Sequence, residues 1–332
     1  MASILITGGA GYIGSHTTHE LLRLGHDVEV VDDLSKGYAH NVPDGRLHRV
    51  RLQDQSALDA VFARKRFDAV IHFAAFIAVG ESVREPALYF ENNVGGSLAL
   101  LHSMRRAGVE RMVFSSTAAV YGDPSEIPIP ESSPPAPVNP YGESKLMVET
   151  ALGWLARTTA FRYVALRYFN ACGAVPEFGI GEEHEPETHL IPLIFRAIRT
   201  GEPLTVFGND YPTVDGSCIR DYIHVADLAS AHVAALEHLL AGGEGGCFNA
   251  GTGQGYSVFE VIQAAERVTG RQTPCRVGER RAGDPPALVA DSSLLRRKLG
   301  WAPRYTSLDE MVASAWAFDS RRFGTPGCNR PG

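Results

Sequence analysis

The sequence predicts an α/β protein: a doubly wound, mostly parallel sheet with a smaller C-terminal α/β lobe. Two observations carry this. A short apolar run, Ile4-Leu5-Ile6, leads at once into Gly8-Gly9-Ala10-Gly11-Tyr12-Ile13-Gly14 and then a helical pattern. Further apolar runs at 27–31, 69–73 and 109–115 alternate with helix-length segments, the layout of strand–helix–strand crossovers.

The first strand covers 3–7 and the first helix 15–24. The glycines between them fit G-x-G-x-x-G at Gly9, Gly11 and Gly14, and G-x-x-G-x-x-G at Gly8, Gly11 and Gly14. Glycine permits the tight turn and lets the backbone approach a pyrophosphate, while the helix N-terminus offers oriented N–H groups. A Gly-rich turn alone is commonplace. Between a strand and a helix it points to a Rossmann-type dinucleotide site. The second strand, 27–31, ends in Asp32 and Asp33. An acid about 20 residues past the glycines bonds ribose hydroxyls and repels a 2′-phosphate, which favours NAD over NADP. Asp33 reads equally as the start of a surface loop.

The strand at 69–73 is followed by Ala74-Ala75, which keep the sheet's carboxyl edge narrow. His72 ends an apolar run and reads as a satisfied core histidine. A helix is expected over 89–107, with Asn92 and Asn93 in its first half. The strand at 109–115 ends in Ser115-Ser116-Thr117, hydroxyls placed where such sheets bind substrates. Then comes Tyr141-Gly142-Glu143-Ser144-Lys145, on a helix expected over 141–156. Tyr141 and Lys145, four residues apart, share one helix face. A free tyrosine, with a pKa of about 10, is a poor base near neutrality. A fixed ammonium beside it is expected to draw that value down, so the pair can take a proton from a sugar or alcohol hydroxyl. Alone, Y-x-x-x-K is an ordinary surface pair; with the glycines, Asp32 and the Ser/Thr cluster it becomes a candidate catalytic pair.

Composition bounds the rest. The 332 residues are enough for two lobes, and 44% are apolar. The net charge of −7 and the lack of a basic run argue against nucleic-acid binding, and no run approaches the ~20 residues of a membrane span. The N-terminus has no signal-peptide layout. Cys172, Cys218, Cys247, Cys275 and Cys328 lack paired spacing, which argues against a disulfide framework or zinc site and for a reducing cytoplasm; no metal ligands are expected.

These motifs together resemble the extended short-chain dehydrogenases/reductases that act on nucleotide sugars. Ile71-His72-Phe73-Ala74, Val79-Gly80-Glu81-Ser82, Val120-Tyr121-Gly122-Asp123, Leu166-Arg167-Tyr168-Phe169-Asn170, Phe207-Gly208-Asn209-Asp210-Tyr211-Pro212-Thr213 and Arg220-Asp221-Tyr222-Ile223-His224-Val225 narrow it to the UDP-sugar 4-epimerases within that family. The resemblance spans roughly residues 4–311. Nucleotide-sugar 4,6-dehydratases carry Asp-Glu after the active-site Thr; here Ala118-Ala119 follow Thr117.

The resemblance implies interconversion of UDP-glucose and UDP-galactose, with N-acetylated UDP-sugars as possible further substrates. Tyr141 is the implied base, Lys145 holds the nicotinamide ribose, and Thr117 bonds the sugar's 4-oxygen. The implied NAD contacts are Gly8, Gly11 and Gly14 with Tyr12 and Ile13; Asp32, Asp33 and Leu34; Phe73, Ala74 and Ala75; and Asn92, Ser115 and Phe169, besides Tyr141 and Lys145. Two positions depart from the family pattern. Ile77 stands where a lysine is usual, and Leu52 where an aspartate usually meets adenine, a contact that Asp54 replaces if the register shifts by two. Weaker NAD retention is the expectation.

Substrate contacts implied are Asn170, Leu190, Arg220, Arg281, Asp284 and Leu288, with Thr117 and Tyr141. Arg220 suits a diphosphate by its guanidinium fork, and Arg281 with Asp284 forms a second clamp. Arg280 reads as a solvated charge. His189 stands where an asparagine is frequent. Leu288 takes the place of a bulky tyrosine that restricts the pocket to unsubstituted hexoses, so some turnover of N-acetylated sugars is expected. Helices are expected over 189–200, 223–238, 258–269 and 308–318, a short strand over 206–208, and an acidic, Gly-rich loop over 179–186. The expected division is 1–168 for the NAD half, with 223–250 packing back on it, 169–222 and 251–320 for the substrate lobe, and a flexible tail over 321–332. A homodimer through the 89–107 and 141–156 helices is implied. The rivals are a 4-epimerase of another UDP-sugar (xylose/arabinose or glucuronate), a nucleotide-sugar reductase, and a non-catalytic NAD-sensing scaffold.

Overall fold

The computed structural model describes residues 1–281 and 284–324. Seven strands form one sheet in the order Gly246–Ala250, Arg162–Tyr168, Arg111–Thr117, Ala69–His72, Ser3–Thr7, Asp27–Asp32, Leu47–Arg49. Every pairing in it is parallel. Parallel strands need long crossovers, and helices supply them on both faces. Two apolar cores result. One holds Ile4, Ile6, Val30 and Ile71 under Leu228 and Leu236; the other holds Leu5, Val70 and Phe114 under Leu58, Leu100 and Leu152. The strand order reverses at Ser3–Thr7, between its neighbours Asp27–Asp32 and Ala69–His72, and a ligand crevice opens at the carboxyl ends beside such a reversal.

Gly246–Ala250 is the far edge of this sheet, and the Val225–Leu240 helix packs on the Tyr12–Arg23 helix. The C-terminal lobe has its own core, Ile191, Ile194, Phe195, Val261, Ala265, Met311 and Val312 among them. The Ser257 capping box starts the Val258–Thr269 helix there.

Several boundaries differ from the sequence reading. The first helix begins at Tyr12, because Gly11 is already its N-cap. The strand expected over 109–115 is Arg111–Thr117, so Thr117 closes the strand. The 89–107 helix is interrupted: Pro86–Tyr89 is α-helical, Phe90–Gly95 is a π-turn and Gly96–Ala107 resumes the α-helix. The Asn93 side chain accounts for the wide turn. It accepts from Phe76 N at 2.8 Å and donates to Phe76 O and Ser144 Oγ at 3.0 Å each. Ile223 and His224 end a strand, Ile219–His224, and the helix begins at Val225. The last helix runs to Phe323, so 321–323 are helical rather than tail; Arg199 and Arg322 lie over the Phe323 ring and hold that turn. Residues 325–332, with Cys328, lie outside the described residues.

Candidate active site

The site begins at the glycines. Gly8 has φ +75°, and a Cβ there would lie 2.4 Å from Ala74 N. At Gly14 a Cβ would meet Gly8 O at 2.2 Å. Those two glycines are required by the chain's own packing. Gly11 is not: its φ is −81° and its Cβ would meet nothing closer than Gly8 O at 3.5 Å. As N-cap of the Tyr12–Arg23 helix it provides no side-chain cap. An open backbone face at a helix N-terminus suits a pyrophosphate, and the residues present therefore fit a dinucleotide.

Asp32 is buried, and both its oxygens accept backbone N–H groups, Ala10 N at 3.0 Å and Leu34 N at 2.8 Å. It thereby ties the glycine turn to the second strand, and burial raises its pKa against these bonds. Leu34 has φ +62°, a left-handed conformation uncommon outside glycine. Asp33 Oδ1 accepts from Ser35 N at 2.9 Å in the same loop. Ile13 lies beyond Tyr12 in the helix's first turn, and the Tyr12 hydroxyl donates to Gly173 O at 2.5 Å. Phe73 N and Ala74 N both bond Thr7 O, which holds 73–75 against the glycine turn.

His72 is a satisfied core residue. Its Nδ1 meets Thr7 Oγ1 at 2.6 Å and its Nε2 meets Ser97 Oγ at 2.8 Å; burial pushes its pKa down to about 3. Asn92 is half-buried, with Nδ2 donating to Asn93 Oδ1 at 3.1 Å. Leu52 is buried in the core, packed on Gly96. Asp54 is the N-cap of the Gln55–Arg64 helix, its Oδ1 taking Ala57 N at 3.1 Å and Ser56 Oγ at 3.0 Å. Ile77 is exposed.

The chemistry-bearing groups converge at the carboxyl end of Arg111–Thr117. Asn139 caps the Pro140–Thr158 helix through Gly142 N, so Tyr141 and Lys145 sit in its opening turns, both buried. Gly142 allows the helix to approach the strand end: a Cβ there would meet Ala119 O at 2.5 Å. Lys145 Nζ donates to Ser115 O at 2.8 Å and lies 4.9 Å over the Phe114 ring. The Ser115 hydroxyl pairs with Tyr168 Oη at 2.6 Å. The Thr117 hydroxyl accepts from Ala119 N at 3.1 Å and acts on the Tyr141 phenol to lower its pKa.

Electrostatics here differ from the sequence reading. Tyr141 is not drawn down; burial pushes it up to about 12, with Thr117 alone acting the other way. Burial likewise pushes Lys145 down to about 7, opposed by the Glu149 charge. Desolvation is the largest cause at both groups, and it outweighs the Thr117 hydroxyl at Tyr141 and the Glu149 charge at Lys145.

Glu149 went unread in the sequence, and Tyr121 and Arg167 entered only within the strings that carry the resemblance. Arg167 bonds both Glu149 oxygens, and its Nη1 donates to Tyr121 Oη at 2.9 Å; Tyr121 Oη donates to Asn249 Oδ1 at 2.7 Å. Ser116 Oγ bonds Glu149 Oε1 at 2.5 Å. The signal for Glu149 was its position four residues beyond Lys145 on the same face.

On the lobe side, Asn170 pairs in register with Tyr222, and Leu288 with Arg220. Leu288 and Phe169 pack on Ala118, Val120 and Tyr121, beside the strand end that carries Thr117. Arg220 Nη1 donates to Ile219 O and Pro285 O, and Nη2 lies 3.6 Å from Asp284. Arg281 lies 4.0 Å over the Phe207 ring. Arg280 is exposed and paired with Asp210 at 2.6 Å. Leu190 opens the Leu190–Thr200 helix with His189 as N-cap. An open cavity of about 600 Å³ is lined by Pro124, Ile127, Thr213, Ile219 and Ala287 and by none of the catalytic candidates.

A parallel doubly wound sheet, a dinucleotide cradle and a buried Thr/Tyr/Lys group define a nucleotide-dependent oxidoreductase-type scaffold. The chain belongs to the NAD dependent epimerase/dehydratase family, whose model matches residues 4–251. It is 51% identical over 315 residues to the UDP-glucose 4-epimerase of Halalkalibacterium halodurans, covering 95% of this chain and 94% of that protein. A crystal structure of UDP-glucose 4-epimerase from Brucella ovis with NAD superposes with a TM-score of 0.93 at 46% identity, covering 98% and 99% of the two chains. The UDP-Glc/GlcNAc 4-epimerase from Campylobacter jejuni superposes with a TM-score of 0.83 at 41% identity, covering 97% and 100%.

Proposed function

We propose that this chain is an enzyme that interconverts UDP-glucose and UDP-galactose by inversion at C4, with NAD as catalytic cofactor. The observation that carries the reading is the buried Thr117–Tyr141 pair at the strand end, with Ala118-Ala119 rather than acids beyond it. NAD, when bound, takes the C4 hydride and gives it back. Gly11 and the first turn of the Tyr12–Arg23 helix hold its pyrophosphate, with Gly8, Gly14, Tyr12 and Ile13 shaping that turn. Asp32, Asp33 and Leu34 border the adenosine ribose, and Asp54 the adenine side. Phe73, Ala74, Ala75, Asn92, Ser115 and Phe169 line the rest of its path.

Tyr141 takes the 4-hydroxyl proton and Thr117 holds the 4-oxygen. Lys145, free to leave the Ser115 carbonyl for the nicotinamide ribose, places its charge beside the phenol as proton transfer begins. Without a carboxylate after Thr117 there is no acid to expel water, so the 4-keto sugar is reduced again rather than dehydrated. Arg220, Arg281 and Asp284 grip the UDP end, with Asn170 and Leu190 beside it, and the sugar turns about its diphosphate link to present the other face. Leu288 leaves more room than a tyrosine would, which supports turnover of UDP-N-acetylglucosamine and UDP-N-acetylgalactosamine. Ile77 and Leu52 lack charged contacts for NAD, so retention is weaker than in relatives with a lysine and an aspartate there.

Residues 1–168 with 223–250 form the cofactor half; 169–222 and 251–320 form the substrate lobe. No helix among the described residues is long and apolar enough to cross a membrane, and the free cysteines suit the cytoplasm. Leu98, Met147 and Trp154 are exposed apolar residues on the two neighbouring helices, which supports a homodimer through a four-helix contact. Turnover of UDP-galactose in D2O tests the hydride route. The UDP-glucose formed carries no deuterium at C4; deuterium there would sink the mechanism.

A further inference from the structure

The loop entering the Leu190–Thr200 helix gathers four side chains that the reaction does not use. Glu182, His184, Glu187 and His189 each offer one donor atom, and these atoms all lie within 4.8 Å of one another. His189 Nδ1 is 2.9 Å from Glu187 Oε1 and 3.1 Å from Glu182 Oε1. His184 Nδ1 is 3.5 Å from Glu187 Oε2 and 3.6 Å from Glu182 Oε1. A tetrahedron with metal–ligand bonds of ~2.0 Å has edges of about 3.3 Å. The four imidazole–carboxylate separations, 2.9–3.6 Å, bracket that value, Glu187 turning Oε1 to His189 and Oε2 to His184.

Hydrogen bonding within the protein accounts for only part of the cluster. Glu187 Oε1 is satisfied, by Thr188 N, His189 N and His189 Nδ1. Glu182, its side chain only 9% exposed, has no hydrogen bond among the described residues; its Oε1 faces the two rings, His189 Nδ1 at 3.1 Å and His184 Nδ1 at 3.6 Å. His184 Nδ1 is buried without a hydrogen-bond partner. A buried imidazole nitrogen without a partner, beside a carboxylate 3.6 Å away, costs free energy unless something between them satisfies it.

We propose that Glu182, His184, Glu187 and His189 form a four-ligand Zn2+ site that fixes this loop. Two imidazoles and two carboxylates suit Zn2+ rather than Ca2+ or Mg2+, which prefer all-oxygen shells. Four protein ligands close the coordination sphere, so the ion is structural. The His184 ring meets the Tyr12 ring edge-on at 6.4 Å, at the start of the glycine-loop helix. Leu190 follows His189 directly. The ion therefore staples the cofactor cradle to the start of the substrate-lobe helix.

The test uses tag-free full-length protein. Titration with Zn2+ against a chromophoric chelator, with elemental analysis after dialysis, gives about one ion per chain. The Co2+-loaded protein shows the visible bands of tetrahedral coordination. His184→Gln and Glu182→Gln each weaken Zn2+ binding at least tenfold. Thermal unfolding of the unmutated protein rises with Zn2+ and saturates at one equivalent, a readout that does not depend on either variant folding. Stoichiometry far below one, no saturable rise in Tm, or both variants binding as tightly as the parent overturns the proposal.

Discussion

Glu149 and Arg167 meet in a two-pronged ion pair beneath the strand end that carries Thr117, Oε1 to Nε at 3.0 Å and Oε2 to Nη2 at 2.5 Å, with both side chains buried. The pair joins the Pro140–Thr158 helix to the Arg162–Tyr168 strand. Glu149 Oε1 also takes the Ser116 hydroxyl, and its charge acts on Lys145.

Removing one partner leaves a buried charge uncompensated. Glu149→Gln is expected to lose about 3–5 kcal/mol of stability, read by urea unfolding. Adding Arg167→Met to Glu149→Gln restores much of that loss, and a double-variant cycle measures the coupling. A single-variant cost under about 1 kcal/mol would mean the pair is solvated.

Two glycines separate packing from ligand binding. Gly14→Ala forces a Cβ against Gly8 O and is expected to lower Tm. Gly11→Ala meets no close protein atom, so it keeps the parent's Tm without cofactor while weakening NAD binding at least tenfold, about 1.4 kcal/mol. Equal Tm losses in both variants would contradict the pyrophosphate role of Gly11.

Acid lability follows from His72. Its folded pKa, about 3, lies below the unfolded value of about 6.5, so the unfolded chain binds the extra proton between them. Stability from this group is full above about pH 6.5 and is lost as pH falls toward 3, at up to ~1.4 kcal/mol per pH unit. Urea unfolding at pH 7, 6 and 5 measures the slope. His72→Gln, which keeps polar groups near Thr7 and Ser97, shallows it by about one proton; an unchanged slope contradicts the account.

Leu288 packs beside Phe169 and Ala118. Leu288→Tyr narrows the pocket there, so turnover of N-acetylated UDP-sugars falls at least tenfold, an effect of about 1.4 kcal/mol, while UDP-galactose turnover stays within a few-fold. Equal losses on both substrate types would mean the position does not select.

The N-terminal half was legible because its signals are local. Glycines, an apolar strand and an acid at its end follow each other in the chain, and Tyr141 and Lys145 lie one helical turn apart. The π-turn at Phe90–Gly95 was not legible, since it depends on Asn93 reaching Phe76 and Ser144 from elsewhere. Nor was the direction of the Tyr141 pKa, which burial decides and a sequence does not display. Glu182 and His184 read only as part of an acidic loop and His189 as the start of a helix, because their convergence with Glu187 depends on the fold of the loop.

The central claim rests on Tyr141 as the proton-accepting group of a redox-neutral inversion. The most direct measurement incubates the purified protein with UDP-galactose, with and without added NAD, and chromatographs the nucleotide sugars beside a Tyr141→Phe control. The account predicts UDP-glucose without net NADH, at a rate that rises with added NAD, and a fall of about 10²–10⁴-fold in the control. No UDP-glucose under either condition, NADH consumed one for one with product, or a control as active as the parent would contradict it.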